Sequence, residues 1–160
     1  MPDQSPTPEA MLFAFFNEVG ILAQLSRALF EARLPQGFNL PQFTVLNHLV
    51  RVRDGQTPLA LARAFQVPKT SLTHSLAVLE RHGLVEMRPN AQDGRSKRVF
   101  LTEAGRRFRQ AAIKGLMPDL QAIATAFPPD RIAATLPTLT DLRQAMDAMR
   151  DTDPDPPQAV

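Results

Sequence analysis

The chain has 160 residues but no cysteine, no tryptophan, no tyrosine and only three histidines. Without thiols there is no disulfide framework, no thiolate metal site and no cysteine-based redox sensing. His48, His74 and His82 are scattered along the chain. Neither His48 nor His82 has a second ligand-type residue at metal spacing, so both read first as structural and no metal is expected. The chain also lacks a Gly-rich phosphate loop and a carboxylate pair, which argues against an enzyme and against a bound cofactor. No apolar run approaches the roughly 18 residues of a membrane span. Met1 to Pro8 is polar and proline-rich, unlike a secretory leader. The expectation is a cytoplasmic protein with no membrane partner.

What is present fits one core: 44% of residues are hydrophobic, enough for a single domain of this length. The net charge of +2 hides a segregation. From Arg51 to Arg109 there are 12 lysines and arginines against 5 acids, net +7, whereas the rest holds 6 against 11, net −5. A cationic middle with acidic ends suits a polyanion partner at the middle. Charge alone leaves open a solvated basic surface.

Helix signals organise the chain. Thr7-Pro8-Glu9 starts a first helix reaching about Arg33, since threonine accepts from the free first-turn amides and proline loses nothing there. Its apolar residues, including Leu12, Phe13, Phe16, Val19, Leu22, Leu25 and Phe30, exceed one stripe. The helix is therefore either buried all round or also meets another subunit. Pro41 opens a second helix that stops near Asp54-Gly55. Thr57-Pro58 starts a short third helix ending at Gln66-Val67.

The fourth helix, about Pro68 to Arg81, carries Leu72, Leu76 and Leu79 on one face and Lys69, Thr70, Ser71, Thr73, His74 and Ser75 around the other. Gly83 ends it. Two extended segments, Leu84–Arg88 and Lys97–Leu101, flank a long polar tip from Pro89 to Ser96. Thr102-Glu103 caps a fifth helix to about Ala126, and Pro128-Pro129-Asp130 starts a sixth to about Arg150. Pro118 and Pro137 lie inside these two helices and predict kinks or breaks there. Residues 1–7 and 151–160 are expected to be disordered.

The predicted architecture is mainly α with a small β-hairpin wing: a winged helix-turn-helix over about 41–101, flanked by N- and C-terminal helices at about 8–33 and 103–150. All of this falls in a single domain, 8–150. The residue types fit that order. A helix entering the major groove needs apolar anchors behind and compact donors and acceptors in front. Flanking cations neutralise phosphates, and a tip bearing Arg95, Lys97 and Arg98 can reach a minor groove.

From Phe13 to Met149 the chain resembles the MarR family of transcriptional regulators. The resemblance rests on Asp93-Gly94-Arg95-Ser96-Lys97-Arg98-Val99-Phe100-Leu101-Thr102-Glu103-Ala104-Gly105, similar to the family's wing signature. It is reinforced by the helix exit Leu79-Glu80-Arg81-His82-Gly83-Leu84-Val85. It implies a homodimer that acts as a repressor on a palindromic double-stranded DNA operator and is released by a small aromatic effector. It further implies Arg95 in the minor groove, Asp93 ion-paired to hold the wing, Thr70, Ser71, Thr73 and His74 facing bases, and Lys69 and Arg98 on phosphates. The first and last two helices would form the dimer interface, and Phe16, Phe43 and His48 are candidate ligand contacts. The rival reading is a winged-helix module whose basic hairpin contacts an acidic protein.

Overall fold

The computed structural model describes residues 6–152, and the side chains of residues 6–149. Eight elements follow in order: α1 (Pro8–Glu31), α2 (Leu40–Arg51), α3 (Pro58–Phe65), α4 (Lys69–Arg81), β1 (Val85–Asn90), β2 (Asp93–Leu101), α5 (Glu103–Ala126) and α6 (Pro129–Thr152). This is the mainly helical chain with a hairpin wing that the sequence predicts. The expected disorder at residues 1–5 and from residue 153 lies outside the described residues, while Asp151 and Thr152 prolong α6.

Side-chain caps decide where the helices begin. Thr7 Oγ1 accepts from the Ala10 amide at 3.3 Å, and Thr57 Oγ1 accepts from the Ala60 amide at 3.2 Å. Helix α2 starts one residue before Pro41, because Asn39 and Gln42 form a reciprocal capping box at 3.2 and 3.0 Å. The turn between α3 and α4 is made by Gln66, whose backbone is left-handed with φ 53°. Gly83, with φ +66°, ends the α4 segment at a conformation glycine adopts without a Cβ penalty.

The chain divides at Met117–Pro118 into two compact units. The core of the first is Val45, Leu46 and Leu49 of α2, Leu61 and Ala62 of α3, Leu72, Leu76 and Leu79 of α4, and Leu84, Val85, Val99 and Leu101 of the wing. Phe38 and Phe108 pack on it with ring centroids 4.6 Å apart. Burying such a set is what holds a three-helix scaffold against the entropy of ordering it.

Two polar fasteners tie the wing to the helices. Asp54 Oδ1, just past α2, accepts from the Leu101 amide at 3.0 Å. Thr102 Oγ1 donates to the Gly83 carbonyl at 2.7 Å and accepts from the Gly105 amide at 3.0 Å, capping α5 while holding the exit of α4. Gly105 sits so close to the chain that a Cβ there would lie 2.1 Å from the Leu84 carbonyl oxygen.

The hairpin extends further than its apolar residues suggest. Strands β1 and β2 pair Val85 with Leu101 down to Pro89 with Lys97, then shift register so that Asn90 faces Asp93. Gly94, Arg95 and Ser96 therefore have no partner residue on β1. Most of the predicted tip is thus strand carrying a bulge, a device that locally twists a ribbon and re-aims side chains. The main chain of β2 also bonds to the α2–α3 connection, where Gly55 donates to Val99 and Val99 donates to Gln56 at 3.1 and 2.9 Å.

In the second unit, α6 has no buried residue among those whose side chains are described. The Arg131 guanidinium lies 4.9 Å from the centre of the Phe127 ring. Of the kinks or breaks foreseen at Pro118 and Pro137, the breaks do not occur, since α5 and α6 run as helix through both positions. Each proline deletes one amide donor, and the neighbouring turns keep the helical path.

Candidate nucleic-acid interface

Helix α4 is anchored on one side and open on the other. Leu72, Leu76 and Leu79 are buried, as are Ser75 and Val78, whereas Lys69, Thr70, Ser71, Thr73, His74 and Ala77 are exposed. At 100° per residue Thr70, Thr73, His74 and Ala77 share one outward stripe. Thr73 Oγ1 donates to the Lys69 carbonyl at 2.8 Å. Ser71 lies about 100° from Thr70, at the side of the stripe. Together with Ser75 and Leu72 it lines a separate pocket against α1 and α2.

Lys69 opens a second feature, a cleft of about 530 Å³ between the first turn of α3 and the wing. Its walls include Thr57, Pro58 and Leu59 on one side and Asn90, Asp93, Arg95, Ser96 and Lys97 on the other. Three cations, Lys69, Arg95 and Lys97, thus converge on a space that holds one carboxylate, Asp93, and borders the amide-rich start of a helix. All three side chains are exposed, and among the described residues none of them forms an ion pair. A phosphate backbone is the kind of ligand such a cleft attracts.

The wing tip is organised differently from the expectation. Asp93 Oδ1 accepts from the Arg95 backbone amide at 3.1 Å, turning the chain at the bulge, and among the described residues Asp93 forms no ion pair of the kind expected to hold the wing. Asn90 holds the centre. Nearly buried, it donates to Ser96 Oγ at 2.8 Å and accepts from Arg98 Nε at 3.0 Å, and Arg98 also donates to Gln92 Oε1 at 2.8 Å.

Arg98 lies across the tip on the side of Arg88 and Phe100, away from the cleft that Arg95 and Lys97 line. That follows from strand alternation, which sends Lys97 and Arg98 to opposite faces. Asn90 escapes notice in the sequence because it lies inside the polar stretch between the two apolar segments of the hairpin. Its only sequence signal was an amide residue three positions before the Asp-Gly-Arg turn.

The three candidate ligand contacts do not converge. Phe43 is buried against Phe30, with ring centroids 4.4 Å apart. Phe16 is exposed beside Phe15. His48 packs edge-on to Phe65 at 5.0 Å, with Nε2 2.9 Å from Gln56 Nε2. Burial, and to a smaller degree the Arg51 charge, hold the His48 pKa below the ordinary histidine value, against an opposing effect of the Gln56 contact. His82 lies beside Phe38, ring centroids 4.9 Å apart, at the end of α4.

The pocket beside Ser71 has a volume of about 260 Å³ and is lined by Leu40, Pro41, Phe65, Val67 and Leu72, with Arg27, Thr44 and Ser75 as its polar members. Arg27 Nε lies 3.2 Å from Glu31 Oε1, which also accepts from the Leu40 amide at 2.8 Å. That amide, more than the arginine, keeps the Glu31 carboxyl below the usual range despite an opposing desolvation effect.

An anchored helix with an open polar stripe, a basic hairpin beside it and long flanking helices define a winged helix-turn-helix protein. The MarR family model matches residues 36–96, the stretch from the turn before α2 to the wing bulge. MarR from E. coli in its apo form is 26% identical, with a TM-score of 0.69 over 79% of this chain and 94% of that one. BldR from Sulfolobus solfataricus superposes with a TM-score of 0.76 at 18% identity, over 88% and 99% of the two chains. PcaV from Streptomyces coelicolor, crystallised with its natural ligand, gives 0.64 at 20% identity, over 91% and 98%. The winged helix-turn-helix segment thus matches the MarR family model, and the chain shares its fold with solved MarR-family regulators.

Proposed function

We propose that this protein is a sequence-specific DNA-binding transcriptional repressor that acts as a homodimer on a palindromic operator. The observation that carries the reading is the convergence of Lys69, Arg95 and Lys97 on one cleft, next to the open stripe of α4. In this reading the α4 stripe enters the major groove, Lys69 and Lys97 neutralise phosphates, and Arg95 at the bulge reaches the flanking minor groove. Asp93 shapes the turn that presents Arg95. Thr70, Thr73 and His74 face bases, with Ser71 at the edge of that surface. Two-fold symmetry sets the half-sites about 10 base pairs apart, one turn of the duplex.

Release by a small aromatic acid is the second part of the proposal. The pocket by Ser71 supports it better than Phe16, Phe43 and His48, because its apolar walls, hydroxyls and one guanidinium lie together. PcaV, a structural relative, carries a natural ligand. A ligand here would bear directly on Leu72 and Ser75 of α4 and so shift the helix that reads DNA.

Selection of genomic fragments by the purified protein at near-physiological salt tests the first part. Enrichment of an imperfect palindrome is the expected result. Sequence-blind binding would favour the protein-interaction reading of the basic hairpin. Benzoate and hydroxybenzoates should then weaken the wild-type complex and spare that of Arg27→Gln, measured by competition against the labelled palindrome.

A further inference from the structure

The outward stripe of α4 carries no arginine to grip guanine and no asparagine or glutamine to grip adenine, and Lys69 beside it lines the cleft with the wing. Beside the Thr70 hydroxyl and the His74 ring, what it displays is methyl groups. Ala77 is exposed and offers nothing else. One turn earlier, Thr73 is exposed too, and its hydroxyl hydrogen is committed to the Lys69 carbonyl at 2.8 Å. The pair lies four residues apart, so the two methyls are neighbours on the helix surface. His74 alongside them is the one ring donor or acceptor.

We infer that Thr73 and Ala77 form an apolar strip that reads the C5-methyl group of thymine in each half-site. The inference rests on the DNA-binding reading above and deepens it, by naming the base feature the helix recognises. A thymine methyl is the one apolar group on a base edge in the major groove. Among the groups that distinguish base pairs in that groove, the thymine methyl is the one against which an exposed alkyl strip gains by burying apolar surface. Thr73→Ser keeps the hydroxyl lock and removes the methyl, so the contribution of the strip is separable from that of the helix.

The test uses the full-length protein and the palindrome enriched by genomic selection, with each thymine replaced in turn by deoxyuridine, which pairs identically and lacks only the methyl. One symmetry-related pair of thymines should respond. Binding is expected to weaken about fourfold when one half-site is changed and about fifteenfold when both are, the value of burying one methyl-sized group at each. In Thr73→Ser the response at that position should fall below twofold, while the circular dichroism spectrum and melting temperature stay near wild type. An operator that is enriched and bound, but indifferent to every thymine-to-uracil change, overturns this inference and leaves the DNA-binding reading standing. Failure to enrich any sequence overturns both.

Discussion

Thr102 shows how one side chain can serve two elements at once. Its hydroxyl caps α5 and also holds the carbonyl of Gly83. Replacement by valine removes both bonds and should lower stability by about 1–2 kcal/mol, read from urea unfolding at constant slope. The Thr102-Glu103 start signal was legible in the sequence, whereas the second bond was not, because Gly83 is 19 positions away. Gly105 has a similar history. Its place in a family-like signature was visible, but its cause, the Leu84 carbonyl 2.1 Å from where a Cβ would stand, is a tertiary contact. Gly105→Ala should therefore cost about 3 kcal/mol, although the residue is helical and alanine is the better helix former.

His48 gives the molecule a pH dependence with a definite sign. Its folded-state pKa is held below the ordinary value of 6.5, chiefly by burial, so the unfolded chain takes up the proton first. Stability from this group is complete above about pH 6.5 and is lost as pH falls below it. His48→Gln should flatten the unfolding free energy between about pH 7 and 5 while leaving its value at pH 8 little changed. Glu31, also lowered, acts in a separate window: its contribution is present above its ordinary value of 4.5 and lost as pH drops further.

At the scale of elements, the wing is where sequence and structure diverge most usefully. The alternation of apolar residues marked its two strands, and the polar run between them looked like loop. Pairing resumes at Asn90 and Asp93 beyond the bulge, and Asn90 supplies hydrogen bonds that the polar groups of the bulge would otherwise seek from water. Arg98 was grouped with Arg95 and Lys97 on sequence proximity alone. Strand alternation turns it to the opposite face, where Asn90 and Gln92 hold it. If Arg98 acts only by bracing the tip that presents Arg95, its removal should matter only while Arg95 is present. Arg98→Ala is expected to weaken operator binding by itself and to have little further effect in an Arg95→Ala background, a non-additivity that a double-mutant cycle measures. Additive losses, with the salt slope falling by about one for each arginine, would identify Arg98 as an independent phosphate contact.

Helix α4 was the most legible element, since its leucine spacing and its short polar face are both local properties. The candidate ligand residues were the least legible. Phe16, Phe43 and His48 are candidates for a cavity between the flanking helices and the winged part, and only the packing shows that they face different surroundings. The pocket residues Arg27, Pro41, Phe65 and Ser71 come from four separate segments and have no common sequence pattern.

At the scale of the whole molecule, exposed apolar surface is the dominant unanswered need. None of the 24 residues of α1 is buried, and Phe13, Leu22 and Leu25 are 77%, 63% and 63% exposed. The second unit independently exposes Ile132, Leu136 and Met146. Patches of this kind mark surfaces that associate, and a second copy of the chain is the partner the proposal assigns. Sedimentation at micromolar concentration should give twice the chain mass for the wild type. Leu22→Glu with Leu25→Glu should shift the species toward the monomer and weaken operator binding, since a lone subunit grips one half-site.

Specific binding by a dimer is the claim on which the whole account depends, and a titration tests it most directly. A labelled duplex carrying the selected palindrome would be compared with its shuffled counterpart at 150 mM salt, with affinity and the number of chains per duplex read together. The account predicts two chains on the palindrome and at least a thousandfold preference over the shuffled duplex. Equal affinity for the two duplexes, with binding that simply fades as salt rises, would contradict it.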